Sequence, residues 1–364
     1  MSALHARVTR AWQGRVGPAA SRALDVAERG YRGLLDTRAW LYARGVLRCR
    51  PLGVPVVSVG NLTVGGTGKT PAVELVVRTL LELGQRPAVL SRGYGRRGHG
   101  VRVVADSSSI RLDADEGGDE PVLLARRLPG VPVLVGANRY EAGRDAVARF
   151  GVSAIVLDDG FQHRTLAKDL EIVMARARAP WGNGRLLPGG PLREPLTALA
   201  RAHLIVVTGA RAADDVAEVS TAARVHAAAV PVLAARHVPS ECWDAASRRP
   251  LGPEALRGLK LFGFAGIGAP ESFQETLADA GAVEVGFARF ADHHRYTADE
   301  FAILERRAHA ASAVGLVTTE KDWMRVRTLP SPAMPLYVLS VRLALLAGDA
   351  EWRAALARAC ARQA

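Results

Sequence analysis

The chain has 364 residues, enough for two packed domains, since a single hydrophobic core usually stops growing at about 250 to 300 residues. Its composition is that of a globular protein, and its formal net charge of +12 favours anionic partners such as phosphorylated substrates or anionic lipid. The sequence has no RNA-binding signature or zinc-ligand spacing, which argues against nucleic acid, and its three isolated cysteines argue against a disulfide framework.

Residues 1–50 are predicted to form an N-terminal amphipathic, membrane-associating helical segment. The apolar residues at helical spacing are Leu35, Ala39, Tyr42 and Val46, and the basic residues among them are Arg32, Arg38, Arg44, Arg48 and Arg50. Two interpretations are open: the helix lies on an anionic membrane, or it packs on the domain behind it. No run of about 18 apolar residues is present and the first 30 residues lack the apolar region of a secretion signal, so we expect neither a membrane span nor a cleaved signal.

Residues 51–230 alternate apolar, β-branched runs with helical stretches. The predicted strands are VPVVSVGN from residue 54, RPAVLSRGYG from 86, VPVLVGANR from 131, VSAIVLDDG from 152 and AHLIVVTGA from 202. Residues 70–84 are predicted as a helix that ends at Gly84. This alternation predicts a doubly wound α/β sandwich, with ligands at the carboxyl ends of the strands.

Residues 231–345 are predicted to form a second, smaller α/β domain. Strands near 230–243 and 335–346 lead out of the first domain and back to it, and helices are expected near 270–280 and 298–312. Further strands are expected in KLFGFAGIGAP, AVEVGFARFADHH and AVGLVTTEKD. Residues 346–364 are predicted as a C-terminal helix.

The segment VGNLTVGGTGKTP, residues 59–71, is predicted to be a phosphate-binding loop. It supplies close backbone approach through three glycines, a positive charge on Lys69 and a hydroxyl for Mg²⁺ on Thr70. Thr63 stands where the usual pattern has its first glycine. A chance glycine-rich turn is the alternative, but the strand before the segment and the helix after it favour a nucleotide site.

Two acidic segments are candidates for chemistry beside this loop. Asp158 and Asp159 follow an apolar strand, where the metal-binding carboxylate of a P-loop enzyme usually lies. The segment DEGGDEP, residues 115–121, offers a carboxylate general base for phosphoryl transfer to an alcohol. A solvated acidic turn is the alternative for each segment. Arginines in the glycine-rich loops SRGYGRRG and LLPGGPLREP suit phosphate recognition or solubility.

With these motifs assembled, the sequence resembles the tetraacyldisaccharide 4'-kinase family, the lipid A 4'-kinases of Gram-negative bacteria. Nine motifs occur in order between about residues 30 and 345: SVGNLTVGGTGKTP, SRGYG, GDEP, VGANR, VLDDGFQH, LLPGGPLREP, FAGIG, FADHH and TTEKD. The family uses the shortened glycine pattern, so Thr63 is no departure from it. The resemblance implies a P-loop NTPase-like α/β/α sandwich and a smaller α/β domain joined by a two-stranded linker.

The resemblance also implies an activity and residue roles. ATP, with Mg²⁺, would phosphorylate the 4'-hydroxyl of a tetraacyldisaccharide 1-phosphate to give the 1,4'-bisphosphate lipid A precursor. Asp119 would be the catalytic base and His293 its hydrogen-bonded partner. The nucleotide-binding residues would be Gly65, Gly66, Thr67, Gly68, Lys69 and Thr70, with Thr70, Asp158 and Asp159 at the metal. Residues lining or supporting the site would be Arg92, Tyr94, Glu120, Arg139, His163, Arg193 and Glu194.

The resemblance favours the membrane interpretation of the N-terminal helix, with the enzyme peripheral on the cytoplasmic face of the inner membrane. The expected partners are then the lipid substrate and the membrane surface, without nucleic acid or an obligate protein partner. Two other classes stay open on the residues alone. A P-loop switch or partition ATPase would hydrolyse ATP without an acceptor, and a cytosolic small-molecule kinase would not need the N-terminal helix.

Overall fold

We describe the protein from a computed structural model, which covers residue 12 and residues 17–227, 229–292 and 294–361. The chain divides into two compact units. The larger unit contains residues 1–236 and 345–364, and the smaller unit contains residues 237–344. The chain therefore passes between the units twice, once within a strand that starts at Val232 and once at the end of a strand that starts at Leu336.

The larger unit contains a predominantly parallel sheet. Its strands are β1 (Val56–Asn61), β2 (Pro87–Ser91), β3 (Arg102–Ala105), β4 (Val133–Val135), β5 (Ala154–Asp158), β6 (Leu170–Arg176), β7 (Leu204–Thr208) and the start of β8 (Val232–Asp244). The order is β8-β7-β6-β1-β5-β2-β4-β3, and β3 alone in this series is antiparallel to its neighbour. β1, β2, β4, β5 and β7 were predicted, whereas β3 and β6 were missed.

Helices cover the faces of this sheet. They are α1 (Pro18–Ala43), α2 (Lys69–Glu82), α3 (Ala114–Gly117), α4 (Asp119–Arg127), α5 (Arg139–Phe150), α6 (Ala217–His226) and the C-terminal α10 (Asp349–Ala361). α5 packs on β2 and β4, and its Ala142 and Ala146 belong to the buried apolar cluster on this face. α10 is joined to α2 because the Trp352 indole donates a hydrogen bond to the Thr79 hydroxyl at 3.0 Å. The predicted α/β fold class is confirmed.

Part of α1 follows the second of the two interpretations, in which the helix packs on the domain behind it. Leu35, one of the apolar residues at helical spacing, packs on the apolar cluster around Phe161 and Trp181. Arg38, which was assigned to the cationic face, donates to the Gln162 carbonyl at 2.7 Å. The reason is that α1 has an inner face held by the body of the protein, so helical spacing alone could not tell the docking stripe from the exposed one.

The smaller unit is an α/β layer of its own. Its elements are β9 (Lys260–Ala265), α7 (Pro270–Asp279), β10 (Val283–Arg289), α8 (Ala298–Ala310), β11 (Gly315–Thr319), α9 (Glu320–Val326) and β12 (Leu336–Leu345). The strand order is β10-β9-β11-β12, followed by the second half of β8. Its buried centre is Asp322, whose carboxylate accepts from Tyr296, Thr319 and the Gly266 amide. The segment TTEKD therefore has a structural part in this unit.

Candidate active site

The phosphate loop lies between β1 and α2. Gly65 and Gly68 have φ of 105° and 75°, the left-handed region that glycine tolerates, and Gly68 caps α2. The N-terminus of α2 offers unpaired backbone N–H groups and the positive end of the helix dipole. Lys69 and Thr70 are the first two residues of that helix. An anionic phosphate is therefore favoured at this end of α2.

Thr63 is held by a neighbouring loop. It forms an antiparallel bridge with Leu192, and the Val64 amide donates to the Pro191 carbonyl at 2.9 Å. The side chain of Thr63 is buried. The first half of the phosphate loop is thus shaped by residues 191–192, so it does not need the left-handed backbone that a glycine would provide.

Two residues outside the glycine pattern hold the middle of the loop. Asn61, the last residue of β1, donates from Nδ2 to the Thr67 hydroxyl at 2.9 Å. Thr208, at the end of β7, donates to the Thr67 carbonyl at 3.2 Å. Lys69 Nζ in turn donates to Asn61 Oδ1 at 3.4 Å. These bonds position the loop before any nucleotide arrives.

Asp158 is a buried carboxylate at the end of β5. Its Oδ2 accepts from the Ser91 hydroxyl at 2.9 Å, while its Oδ1 is buried without a hydrogen-bond partner. Burial, together with the charges of Glu120 and Asp159, raises the pKa of Asp158 to about 7. The carboxylate is therefore costly in its ionised form until a cation reaches it.

Asp159 has the opposite environment. Its backbone is left-handed, with φ of 53°, and its carboxylate contacts Lys69 Nζ at 3.6 Å and Arg193 Nη1 at 2.9 and 3.0 Å. Burial raises the pKa of Asp159, but Lys69 and Arg193 outweigh burial and hold that pKa below its usual value. Two cations that suit phosphate groups are thus gathered beside the acid pair.

The acid pair fits Mg²⁺. The unpartnered Oδ1 of Asp158 is a buried oxygen of the kind that Mg²⁺ binds, and Thr70, which carries a hydroxyl, is the second residue of the helix behind the loop. Among the residues that the structure describes, no three side chains of His, Cys, Asp or Glu converge as a metal cluster. Mg²⁺ does not need such a cluster, because it keeps several waters and binds substrate phosphates.

The raised pKa of Asp158 makes a prediction about stability. The folded state binds the proton of Asp158 up to pH of about 7, whereas the unfolded state releases it near pH 3.8, so stability falls as the pH rises through this window. Asp158→Asn removes this cost, and one pKa unit corresponds to about 1.4 kcal/mol. In thermal unfolding with EDTA, we expect the variant to be more stable than the wild type at pH 8 and by a smaller margin at pH 5, because the cost of ionising Asp158 grows from pH 3.8 to a pH of about 7.

Asp159→Asn is the matched control for this experiment. The pKa of Asp159 is lowered, so its ion pairs stabilise the fold at every pH above the unfolded pKa, and the substitution should destabilise the protein at both pH 5 and pH 8. An Asp158→Asn effect that is the same at both pH values would contradict the raised pKa.

The segment DEGGDEP lies at the same edge of the sheet. A Cβ atom on Gly118, which has φ of 92°, would lie 3.4 Å from Gly93 Cα and 3.5 Å from the Tyr94 carbonyl oxygen, so the backbone here runs close to the loop that follows β2. Asp119 is then the first residue of α4, and the charge of Glu120 acts on Asp158. Asp115, by contrast, is exposed and pairs with Arg97 at 3.9 Å. The charge of Glu120 therefore reaches the acid pair, while Asp115 is a surface residue.

The remaining predicted residues differ in burial. Arg139 is buried at the start of α5. Burial lowers its pKa to about 10, although the negative charge of Asp158 acts to raise that pKa. Burial and the charge of Arg139 lower the pKa of His163 to about 4, so His163 is neutral at physiological pH. Arg92 and Tyr94 are exposed.

Several residues of the site were missed by the sequence analysis. Gln162 Nε2 donates to the Asn61 carbonyl at 3.0 Å and to Glu194 at 3.2 Å, and Arg201 closes the group by pairing with Glu194 at 2.9 Å. Glu194 is buried in this network, so it positions the loop that carries Arg193. Gln162 lies inside the quoted motif VLDDGFQH, whereas Arg201 and Thr208 lie in no motif and could be found only by tertiary contact.

The sequence matches proteins of a known family. A family model described as Tetraacyldisaccharide-1-P 4'-kinase matches residues 20–361. The chain belongs to this family. Relatives named tetraacyldisaccharide 4'-kinase include one from Anaeromyxobacter sp. (strain K), 46% identical over 99% of this chain and 96% of its own, and one from Syntrophus aciditrophicus, 44% identical over 88% of each chain.

A solved structure of this kinase family also matches. It is described as an "apo" form of LpxK from Aquifex aeolicus in complex with ATP, and it has a TM-score of 0.73 and 27% identity over 94% of this chain and 99% of that chain. The predicted family and the predicted kinase fold are confirmed. His293, the predicted partner of Asp119, lies outside the residues that the structure describes, and its role stays a prediction.

Proposed function

We propose that this chain transfers the γ-phosphate of ATP to the 4'-hydroxyl of a tetraacyldisaccharide 1-phosphate and so forms the 1,4'-bisphosphate lipid A precursor. Membership of the family makes the chain an ATP-dependent tetraacyldisaccharide 4'-kinase. The observation that carries the mechanism is that Lys69 and Arg193 both contact Asp159 at the mouth of the phosphate loop.

The proposed binding step exchanges one anion for another. Lys69 and Arg193 are held by the Asp159 carboxylate, and a terminal phosphate of ATP would share or replace that carboxylate. Asp158, Asp159 and the Thr70 hydroxyl would hold Mg²⁺, which when bound neutralises charge on the β- and γ-phosphates. The backbone N–H groups at the start of α2 would hold the phosphates in line.

The proposed transfer step uses Asp119 as the general base. Asp119 would take the proton of the 4'-hydroxyl while the hydroxyl oxygen attacks the γ-phosphorus. The bond from that phosphorus to the bridging oxygen of the β-phosphate would break and release ADP. The position of Asp119 supports this role, because α4 starts at this residue and the next residue, Glu120, acts on the pKa of Asp158.

The direct test is transfer of label from γ-³²P-ATP to the disaccharide 1-phosphate in detergent micelles. We expect a labelled lipid that depends on both Mg²⁺ and the acceptor. ATP hydrolysis without a labelled lipid would instead favour the P-loop switch ATPase.

The exposed face of α1 supports a membrane-surface location, which the family resemblance would place on the cytoplasmic side of the inner membrane. Val26, Leu34 and Trp40 are 66%, 71% and 54% exposed, and the Arg44 guanidinium lies 5.3 Å from the centre of the Trp40 ring. No helix in the described part of the chain is long and apolar enough to cross a bilayer. Apolar side chains beside arginines are the composition of an interfacial helix.

A double substitution tests this location. In Leu34→Asp with Trp40→Asp, each lost apolar side chain removes about 1.5 to 3 kcal/mol of burial, so we expect at least a tenfold drop in binding to vesicles that contain anionic lipid. Flotation at low and high salt measures it, and salt should also release the wild type. Leu81→Asp on α2, at a side chain that is 46% exposed, is the control. Equal binding by all three proteins would show that the exposed face of α1 does not hold the protein on the membrane.

A further inference from the structure

Lys168 is a buried lysine that the phosphate and metal chemistry does not use. Its side chain is 4% exposed, and it forms an ion pair with Glu171 at 2.5 Å. Nζ also donates to two backbone carbonyls, Gly160 at 3.1 Å and Phe161 at 3.3 Å. A charged group loses hydration on burial. The ion pair and the two hydrogen bonds therefore have to offset the free energy that burial of this ammonium group costs.

The two carbonyls belong to the turn that directly follows the acid pair. Asp159 precedes them with a left-handed backbone, a conformation that costs a non-glycine residue free energy and persists only where the surroundings hold it. The Gly160 amide donates to the Val59 carbonyl at 3.1 Å, and the Gly160 carbonyl also accepts from the His163 amide at 2.9 Å. Lys168 therefore adds two hydrogen bonds to the segment that must stay in place for Asp158 and Asp159 to face the site.

The same turn touches the strand that leads into the phosphate loop. A Cβ atom on Gly60 would lie 2.6 Å from Phe161 Cβ and 2.7 Å from the Phe161 amide nitrogen, and one on Gly160 would lie 2.6 Å from the Ser58 hydroxyl. The backbone of the turn is thus in close contact with β1 just before Asn61. A shift of the turn would move both the acid pair and the start of the phosphate loop.

We infer that Lys168 is a positioning residue for the nucleotide and metal site: by binding the Gly160 and Phe161 carbonyls, it fixes the Asp158–Asp159 turn against β1. This role rests on the proposed function of the acid pair as the Mg²⁺ site. It assigns no contact between Lys168 and substrate, and it makes the hydrogen bonds of Nζ, rather than its charge, the important feature.

Three variants separate positioning from fold stability. Lys168→Met keeps most of the side-chain volume and removes the donors. Lys168→Arg keeps donors and charge. Glu171→Gln removes the charge partner but leaves the lysine able to donate to both carbonyls, because even a neutral amine has two N–H donors.

The experiment measures ADP affinity by calorimetry with Mg²⁺ and with EDTA, alongside thermal unfolding and the kcat and KM of lipid phosphorylation. The Mg²⁺-dependent gain is the ratio of ADP affinity with Mg²⁺ to ADP affinity with EDTA. We expect Lys168→Met to lower this ratio at least tenfold and kcat at least tenfold, while KM for the lipid changes less than threefold. Lys168→Arg should restore at least half of the loss, and Glu171→Gln should lower the melting temperature but keep the Mg²⁺-dependent gain.

The outcomes distinguish two failures. If wild type shows no Mg²⁺-dependent gain in ADP affinity, the assignment of the metal to the acid pair fails, and the inference fails with it. If wild type shows the gain and Lys168→Met retains it, only the positioning role of Lys168 is overturned. The role is also overturned if Glu171→Gln loses as much of the gain as Lys168→Met, because the ion pair, rather than the hydrogen bonds to the two carbonyls, would then carry the effect.

Discussion

Asp119→Ala is expected to lower the rate of lipid phosphorylation by about 10²- to 10⁴-fold, the range that a positioned general base contributes. ATP affinity should change little, because the cations and N–H groups assigned to the phosphates lie on the phosphate loop and the loop of Arg193. Asp119 lies at the start of α4, whereas Asp158 ends β5. The loss of the Asp119 side chain therefore leaves the carboxylates of the acid pair in place. Single-turnover transfer and calorimetric titration with ATP measure the two quantities separately.

The acidic segment contains its own control for this experiment. Asp115→Ala changes a carboxylate four residues earlier that is exposed and paired with Arg97, so its activity should stay within about twofold of wild type. Loss of ATP affinity in Asp119→Ala, in step with the loss of rate, would assign Asp119 to the metal site. Comparable losses in Asp119→Ala and Asp115→Ala would point to disruption of the whole segment.

Lys69→Met is expected to weaken ATP binding by about 10- to 100-fold, since a hydrogen bond to a charged group is worth about 1.5 to 3 kcal/mol. Lys69 also contacts Asp159, so the variant leaves that carboxylate to Arg193 alone. We therefore expect the rate at saturating ATP to fall as well, because the acid pair would be less well neutralised. Fluorescence titration with a labelled ATP analogue gives the affinity.

Lys260→Met is the matched control for Lys69→Met. Lys260 is an exposed lysine at the start of β9, and its substitution should leave ATP affinity unchanged. An equal loss in both variants would show that general positive charge, rather than the position of Lys69, attracts the nucleotide. Unchanged affinity in Lys69→Met would overturn the assignment of the phosphate site.

The local elements of the core were predictable where their periodicity is strong. β1, β5 and β7 are apolar, β-branched runs of five or six residues between turn residues, and a helix after the phosphate loop follows from its apolar spacing. β3 was missed because it is short, begins with Arg102 and is only half covered. β6 was missed because Glu171 interrupts its apolar run, and the ion pair with the buried Lys168 compensates the burial of that carboxylate in the folded protein.

The candidate site was predictable as a set of motifs but not as an arrangement. The sequence places Asp158 and Asp159 side by side and says nothing of their difference. In the folded protein one carboxylate is buried beside Ser91 with an unpartnered oxygen, and the other is held by Lys69 and Arg193, so burial and neighbouring cations move their pKa values in opposite directions.

The order of residues alone determined the family, the α/β class, the phosphate loop and the acidic segments, because each depends on contiguous residues or on their order along the chain. Tertiary structure alone decided which face of α1 is exposed, what holds Thr63 and how Lys168 meets the turn after the acid pair. The physical reason is that burial, hydrogen-bond partners and pKa depend on residues that are distant in sequence and meet only when strands from separate parts of the chain pair in one sheet.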